Sequence, residues 1–272
     1  MSKRALRAAF DGGALVPYLV AGDPSPAATA EYARALVAGG ADVLELGLPF
    51  SEPVADGPTI QAGIRRALDA GMTPERYLDL VGDLDLDVPI VAMTYYNMLF
   101  RYGDGDVGEF VADAAAAGLS GVIVPDLPIE ESGPLLDAAA DHDLATVFIV
   151  APTTTEERLA RIVDSASGFL YVQARMGTTG ARTDVSEDTA QSLGRLPETE
   201  TPTAVGFGVS SGEQAAEIVA AGADGVVAGS VFVDLVAAGE DVPERLEAKA
   251  AELAAGVRSG QETGTNKPTR LL

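Results

Sequence analysis

The chain reads as an α/β protein, a single (β/α)8 barrel, and three observations carry that reading. Short runs rich in Val, Ile and Leu recur, each followed by a polar loop and a segment of helical period, and eight can be drawn. Ala-rich helical segments end in glycine just before a strand, as in AGGAD (from Ala38), AAGLSG (from Ala116) and AAGADG (from Ala220). Glycine accepts the left-handed cap conformation at such ends. A length of 272 residues suits one large domain with a sizeable core. The competing arrangement is an open doubly wound sheet, and it is disfavoured because no GxGxxG follows the first strand.

The elements follow in order. The opening MSKRALRAAFDGG has basic residues but no apolar core with a small-residue cleavage site, so it does not read as a signal peptide. The first strand is drawn from Leu15 to Ala21 and the second from Asp42 to Leu46. The third runs from Pro89 to Thr94, the fourth from Gly121 to Pro125 and the fifth from Ala145 to Ala151. The sixth covers Gly168 to Ala174, the seventh Thr203 to Gly208 and the eighth Gly225 to Ala228. Thr154 with Glu157, and Ser211 with Gln214, have capping-box spacing and mark two helix starts. The barrel domain is assigned to residues 1–258. The tail from Ser259 to Leu272, polar with Gly, Thr and Pro, is expected to be disordered and is given no chemistry.

Composition then narrows the chemistry. Eighteen basic against 41 acidic side chains leave a formal charge of −23, which repels nucleic acid and anionic membrane surfaces. Lysine occurs only at Lys3, Lys249 and Lys267. An acidic shell with so little lysine points to a high-salt cytosol, with ordinary acidic drift as the plainer alternative. No apolar run reaches the length of a membrane span. With no cysteine, disulfides, thiolate nucleophiles and thiolate metal sites are excluded. His142 is the sole histidine and sits at an expected helix end, so neither a zinc site nor a Ser-His-Asp device is expected.

In a barrel of this kind the chemistry lies at the C-terminal ends of the strands. Period-2 alternation puts Glu45 on the face opposite Leu44 and Leu46. A carboxylate in an apolar strand either has a charged partner or carries a raised pKa suited to acid/base work. The long loop that follows, Gly47 to Thr59, is stiffened by three prolines and brings a second carboxylate, Asp56, which could equally be an Asp-Gly turn. Two carboxylates in different environments can hold different protonation states. The last three strand ends read Gly177-Thr178-Thr179-Gly180, Gly206-Phe207-Gly208-Val209-Ser210-Ser211 and Ala228-Gly229-Ser230. Such glycines and hydroxyls at helix N-termini form a phosphate cradle, placed here after strands six to eight. A Schiff-base aldolase lacks its lysine in this chain and a metal-dependent one lacks its ligands, so carboxylate chemistry on a phosphorylated small molecule remains.

The motifs ELGLPFSEPVADGPTIQ, PYLVAGDP, MTYYNMLF, VPDLP, YVQARMGTTG and VGFGVSS resemble those of the tryptophan synthase α subunit, in order, from about Pro17 to Val231. The resemblance implies a TIM barrel and a lyase that cleaves indole-3-glycerol phosphate to indole and glyceraldehyde 3-phosphate by retro-aldol chemistry. It implies Glu45 and Asp56 as the catalytic pair and Tyr18, Tyr95, Tyr171 and Thr179 as substrate-binding residues. Gly180, Gly208, Gly229 and Ser230 would bind phosphate. Tyr95, Asn97 and Asp126 match pocket or loop-anchoring positions, and Arg175 falls with Thr179 in the loop after strand six. Met93 and Val150 are read as pocket walls or plain core. Two departures stand out: Tyr18 where Phe is usual, and Glu52 for Asp. The resemblance further implies no metal and no cofactor in this chain, a cytoplasmic enzyme of tryptophan biosynthesis, and an α2β2 tetramer. Its PLP-dependent β subunit would receive the indole, with the Gly47–Thr59 loop and MTYYNMLFRYG as contact surface. Another phosphate-binding barrel enzyme, or an idle barrel kept as a structural partner, are the readings left beside it.

Overall fold

A computed structural model describes residues 2–173, 185–206 and 208–263. Eight parallel strands close into a barrel in chain order: β1 (Ala14–Val20), β2 (Leu44–Gly47), β3 (Ile90–Met93), β4 (Gly121–Ile123), β5 (Ala145–Val150), β6 (Leu170–Gln173), β7 (Thr203–Gly206) and β8 (Gly225–Ala228). Closure is made by β8 pairing with β1, Ala14 opposite Gly225 and Pro17 opposite Ala228. Every expected strand is present, β8 with the expected bounds and the others with ends moved by one or two residues.

Helices surround the barrel. In order they are α1 (Lys3–Ala8), α2 (Pro26–Ala38), α3 (Pro58–Asp69), α4 (Pro74–Asp83), α5 (Tyr96–Tyr102), α6 (Val107–Ala117), α7 (Gly133–Asp141), α8 (Glu156–Ser165), α9 (Val185–Gly194), α10 (Gly212–Ala220), α11 (Ser230–Ala238) and α12 (Val242–Thr263). Left-handed glycines stand where the Ala-rich endings placed them, at Gly40, Gly118 and Gly222. The Ser211 cap is also present, its hydroxyl accepting from Gln214 N–H at 3.3 Å, although Gln214 reaches back to Ser210 rather than to Ser211. At α8 the expected cap moves by one residue. Thr155 caps the helix, while Thr154 accepts from Ala151 N–H in the preceding turn. Adjacent threonines offer the same hydroxyl, and only the path of the chain selects between them.

Strand alternation sorts the core into two shells, as expected for strands covered on both faces. Val16, Val43, Val91, Ile123, Val147, Phe169 and Val227 fill the lumen. Leu15, Leu19, Leu44, Leu46, Leu170 and Val226 point outward against the helices. The N-terminal end of the lumen is closed by α1 and the turn after it, because Leu6 and Phe10 join the inner shell. Glycine makes room for them. A Cβ at Gly168 would stand 3.0 Å from Leu6 Cδ2, and one at Gly225 would stand 2.9 Å from Phe10. The last helix, α12, runs to Thr263, past the boundary expected at 258. Its Gly256 packs where a Cβ would meet Gly212 O at 2.1 Å, and Val257 and Gly260 are buried, so the polar-looking stretch has an apolar side. Residues 264–272 of the expected tail lie outside the described residues. No helix among the described residues is long and apolar enough to cross a membrane.

Candidate active site

At the C-terminal ends of the strands the lumen opens into a cavity of ≈ 530 Å3. Alternation along the strands decides which side chains reach it. β1 contributes Tyr18, β2 Glu45, β3 Met93, β5 Ile149 and β6 Tyr171 and Gln173. Of the two residues read as wall or plain core, Met93 lines the cavity, whereas Val150 is core, pointing outward into the helix-facing shell, and its neighbour Ile149 forms the wall. The period-2 rule was available for β5 as it was for β2. Counting from Val147, which is lumenal, identifies Ile149 directly.

Glu45 is 2% exposed. Its Oε2 has no hydrogen-bond partner among the described residues. Burial, with the nearby Asp56 charge adding to it, pushes the Glu45 carboxyl up to about 8. Desolvation penalises the anion and a second negative charge penalises it again, so Glu45 holds its proton at neutral pH. Among the described residues no structural ion pair engages Glu45, which removes the plainer explanation for a carboxylate in this strand.

Asp56 arrives on the loop between β2 and α3 and is half-buried at the cavity wall. One side chain holds it there. The Tyr95 hydroxyl donates to Asp56 Oδ2 at 2.6 Å and accepts from Ala55 N–H at 2.9 Å. The Phe50 ring packs on Tyr95 with centroids 5.1 Å apart, so the loop is held at both ends of its turn. Burial raises the Asp56 pKa, and the Tyr95 hydrogen bond works against it. Tyr95, expected as a pocket and loop-anchoring residue, anchors the loop through these two bonds. Asp126 anchors the neighbouring loop by accepting from Tyr96 N–H at 2.9 Å, while Asn97 is exposed.

Two further tyrosines flank the carboxylates. Tyr18 lies in register with Glu45, its ring across Gly47 of β2. A Cβ at Gly47 would stand 2.2 Å from Tyr18 Oη. Tyr171 lies likewise across Gly206 of β7, where a Cβ would come within 2.5 Å of its Oη. Both hydroxyls are pushed well up by burial and by the charges of Glu45 and Asp56, so they remain donors. Behind β2 the fully buried Tyr77 donates to Leu46 O at 2.9 Å, pinning the strand between Glu45 and Gly47.

The far end of the cavity is made by Gly208, Gly229 and Ser230. Gly208 has φ +80 and open space around its Cα. Gly229 precedes α11 and leaves its first turn without a side-chain cap, and both Gly229 and Ser230 line the cavity, so this helix terminus lies at its wall. Such a terminus favours an anion. Arg175, Thr179 and Gly180, assigned to the loop after β6, lie outside the described residues, as does Phe207. Among the described residues no cluster of His, Asp and Glu is arranged to hold a metal. Gln173 and Asp234, which the sequence reading missed, also line the cavity. Gln173 is two residues from Tyr171 on the same strand face and Asp234 is one turn from Ser230, so each periodicity could have found its residue.

A family model described as tryptophan synthase alpha chain matches residues 5–262. The chain is similar to the tryptophan synthase alpha chain of Halobacterium salinarum, 59% identical over 98% of this chain and 99% of that protein. It is 53% identical to that of Haloferax volcanii, over 96% of this chain and 97% of that one. Among solved structures it resembles Mycobacterium tuberculosis tryptophan synthase, with TM-score 0.83 and 39% identity, over 93% of this chain and 98% of that one. The tryptophan synthase complex of Pyrococcus furiosus is similar at TM-score 0.78 and 36% identity, over 89% of this chain and 97% of that one. On the matched span, the full-length relatives and the barrel they share, the chain belongs to the tryptophan synthase alpha chain family.

Proposed function

We propose that this chain is the lyase of that family, cleaving indole-3-glycerol phosphate to indole and glyceraldehyde 3-phosphate. The observation that carries the reading is Glu45, a buried carboxylic acid protonated up to about 8, in one cavity with Asp56. Glu45 donates its proton to indole C3, which makes that carbon tetrahedral and turns the ring into an electron sink. Asp56 accepts a hydrogen bond from the indole N–H and offsets the positive charge that develops there. The bond from C3 to the glycerol side chain then breaks, its electrons restore the indole, and the carbinol carbon becomes an aldehyde. The proton lost from that hydroxyl returns to Glu45, so the acid is regenerated and no net proton is consumed.

Tyr18 and Tyr171 bracket the ring, Ile149 and Met93 supply apolar wall, and Gly208, Gly229 and Ser230 hold the phosphoryl group at the N-terminal end of α11. Thr179 is the expected substrate-binding residue and Gly180 the expected phosphate-binding residue of the loop after β6, which lies outside the described residues. The chemistry needs no metal or cofactor in this chain, because protonated indole is its own sink.

The partner is a tryptophan synthase β subunit, which carries PLP and consumes the indole in the cytoplasm. Val54, 84% exposed on the loop that carries Asp56, and Phe100, 44% exposed on α5, are the large apolar side chains left open among the described residues and available for that contact. The test is indole release from indole-3-glycerol phosphate in molar KCl, with and without the β subunit. Slow release that the β subunit accelerates is expected, and no release from folded protein in either condition would overturn the assignment.

A further inference from the structure

The phosphate-binding end of the cavity carries a charge of the wrong sign. Asp234 lines the cavity and is exposed to solvent. It lies four residues after Ser230 on α11, hence on the same helix face one turn along. Helical side chains lean toward the N-terminus of their helix, which brings the carboxylate toward the end that would receive the phosphoryl group. The positive end of the helix dipole is worth about half a charge, and a full negative charge one turn away opposes it.

The neighbouring cation does not restore the balance. Arg66 on α3 donates two hydrogen bonds of 2.7 Å to the buried Asp23 carboxylate. Those bonds, with the Asp23 and Asp234 charges, hold the Arg66 guanidinium above its ordinary value. Asp23, Arg66 and Asp234 together carry −1, and no Lys or Arg lines the cavity among the described residues. The cavity is nonetheless built for a ligand, since the unpartnered and buried Glu45 Oε2 faces into it.

We propose that Asp234 sets the salt dependence of substrate affinity: its carboxylate opposes the phosphoryl group at α11, and dissolved salt restores binding by screening that repulsion. The proposal rests on the phosphate assignment made under the proposed function. A solvent-exposed charge pair is weakened strongly once the screening length falls below the separation, as it does near molar salt. Affinity is therefore lost selectively when salt is withdrawn, before the fold is.

The test measures KM for indole-3-glycerol phosphate, and the dissociation constant for inorganic phosphate, along a KCl series. The series stops at the lowest concentration where circular dichroism shows each protein folded. Asp234→Asn is expected to lower KM at the low-salt end by about three- to tenfold and to flatten its dependence on salt, with Asp234→Lys going further. Asp137→Asn makes the same charge change on the exposed face of α7, across the barrel, and is expected to follow the wild type. A salt slope unchanged by Asp234→Asn, or shifted equally by Asp137→Asn, would overturn the proposal. So would a response to KCl that choline chloride does not reproduce, which would mean a bound potassium ion rather than screening. If no variant releases indole while phosphate binding still responds to Asp234→Asn, the reaction assignment falls and the charge effect stands.

Discussion

Burial and the Asp56 charge hold the Glu45 proton up to about 8, and two pH dependences follow from that. In the reaction proposed above the protonated form is the donor, so kcat/KM is expected to be level below about 8 and to fall above it. Asp56→Asn removes the second cause and should move that limb to lower pH in a pH-rate profile, whatever it does to the maximum. For stability, the folded-state pKa lies above the unfolded value of about 4.3. The proton is held more tightly in the folded chain, so this contribution is full below pH 4.3 or so and is lost as pH rises through about 8. Thermal melts across that window should decline less in Glu45→Gln than in wild type. Glu45→Gln should also reduce turnover by about 10²–10⁴ while retaining substrate binding. Tyr95→Phe removes the hydroxyl that both orients Asp56 and accepts from Ala55 N–H, and should lower kcat/KM by roughly tenfold, a loss of about 1.5 kcal/mol for a hydrogen bond to a charged group. Glu45 and Asp56 were legible because a carboxylate in an apolar strand and another in a proline-stiffened loop are local anomalies. The Tyr95 bond to Asp56 was not, since it joins residues 39 apart through a contact no spacing rule describes.

Strands and glycines have to be read together. Tyr18 can lie flat across β2 only because Gly47 has no side chain, and Tyr171 stands in the same relation to Gly206 on β7. Gly47→Ala is expected to destabilise the barrel by about 1–3 kcal/mol, the usual range for overpacking a filled interior. In a Tyr18→Phe background part of that loss should return. Removing Oη relieves the 2.2 Å approach, whereas Cζ remains at 2.8 Å, and a double-mutant cycle by denaturant titration measures the coupling. At this scale the eight strands were readable from composition, because parallel strands buried on both faces are continuous apolar runs. Helix limits were less so. Thr154 and Thr155 compete for one cap, and the polar residues after Ser259 hide the small-residue side on which α12 packs. The role of α1 was invisible in sequence, since a six-residue amphipathic stretch does not announce that its partner is the inside of a barrel.

Over the whole molecule the charge of −23 is the property that responds to surroundings. Mutual repulsion among surface carboxylates opposes the compact state and is screened by salt. The thermal midpoint is expected to rise with KCl concentration from low to molar salt, as suits a chain that has relatives in halophilic archaea. A midpoint indifferent to salt would leave the acidic composition without that explanation. Leu6 and Phe10, finally, make the barrel a cup rather than a pipe. A molecule that enters past the strand ends meets a closed floor along the barrel axis, so the two fragments of a cleaved substrate leave on the side from which the whole one came. Anything seated over that rim stands in the path of both.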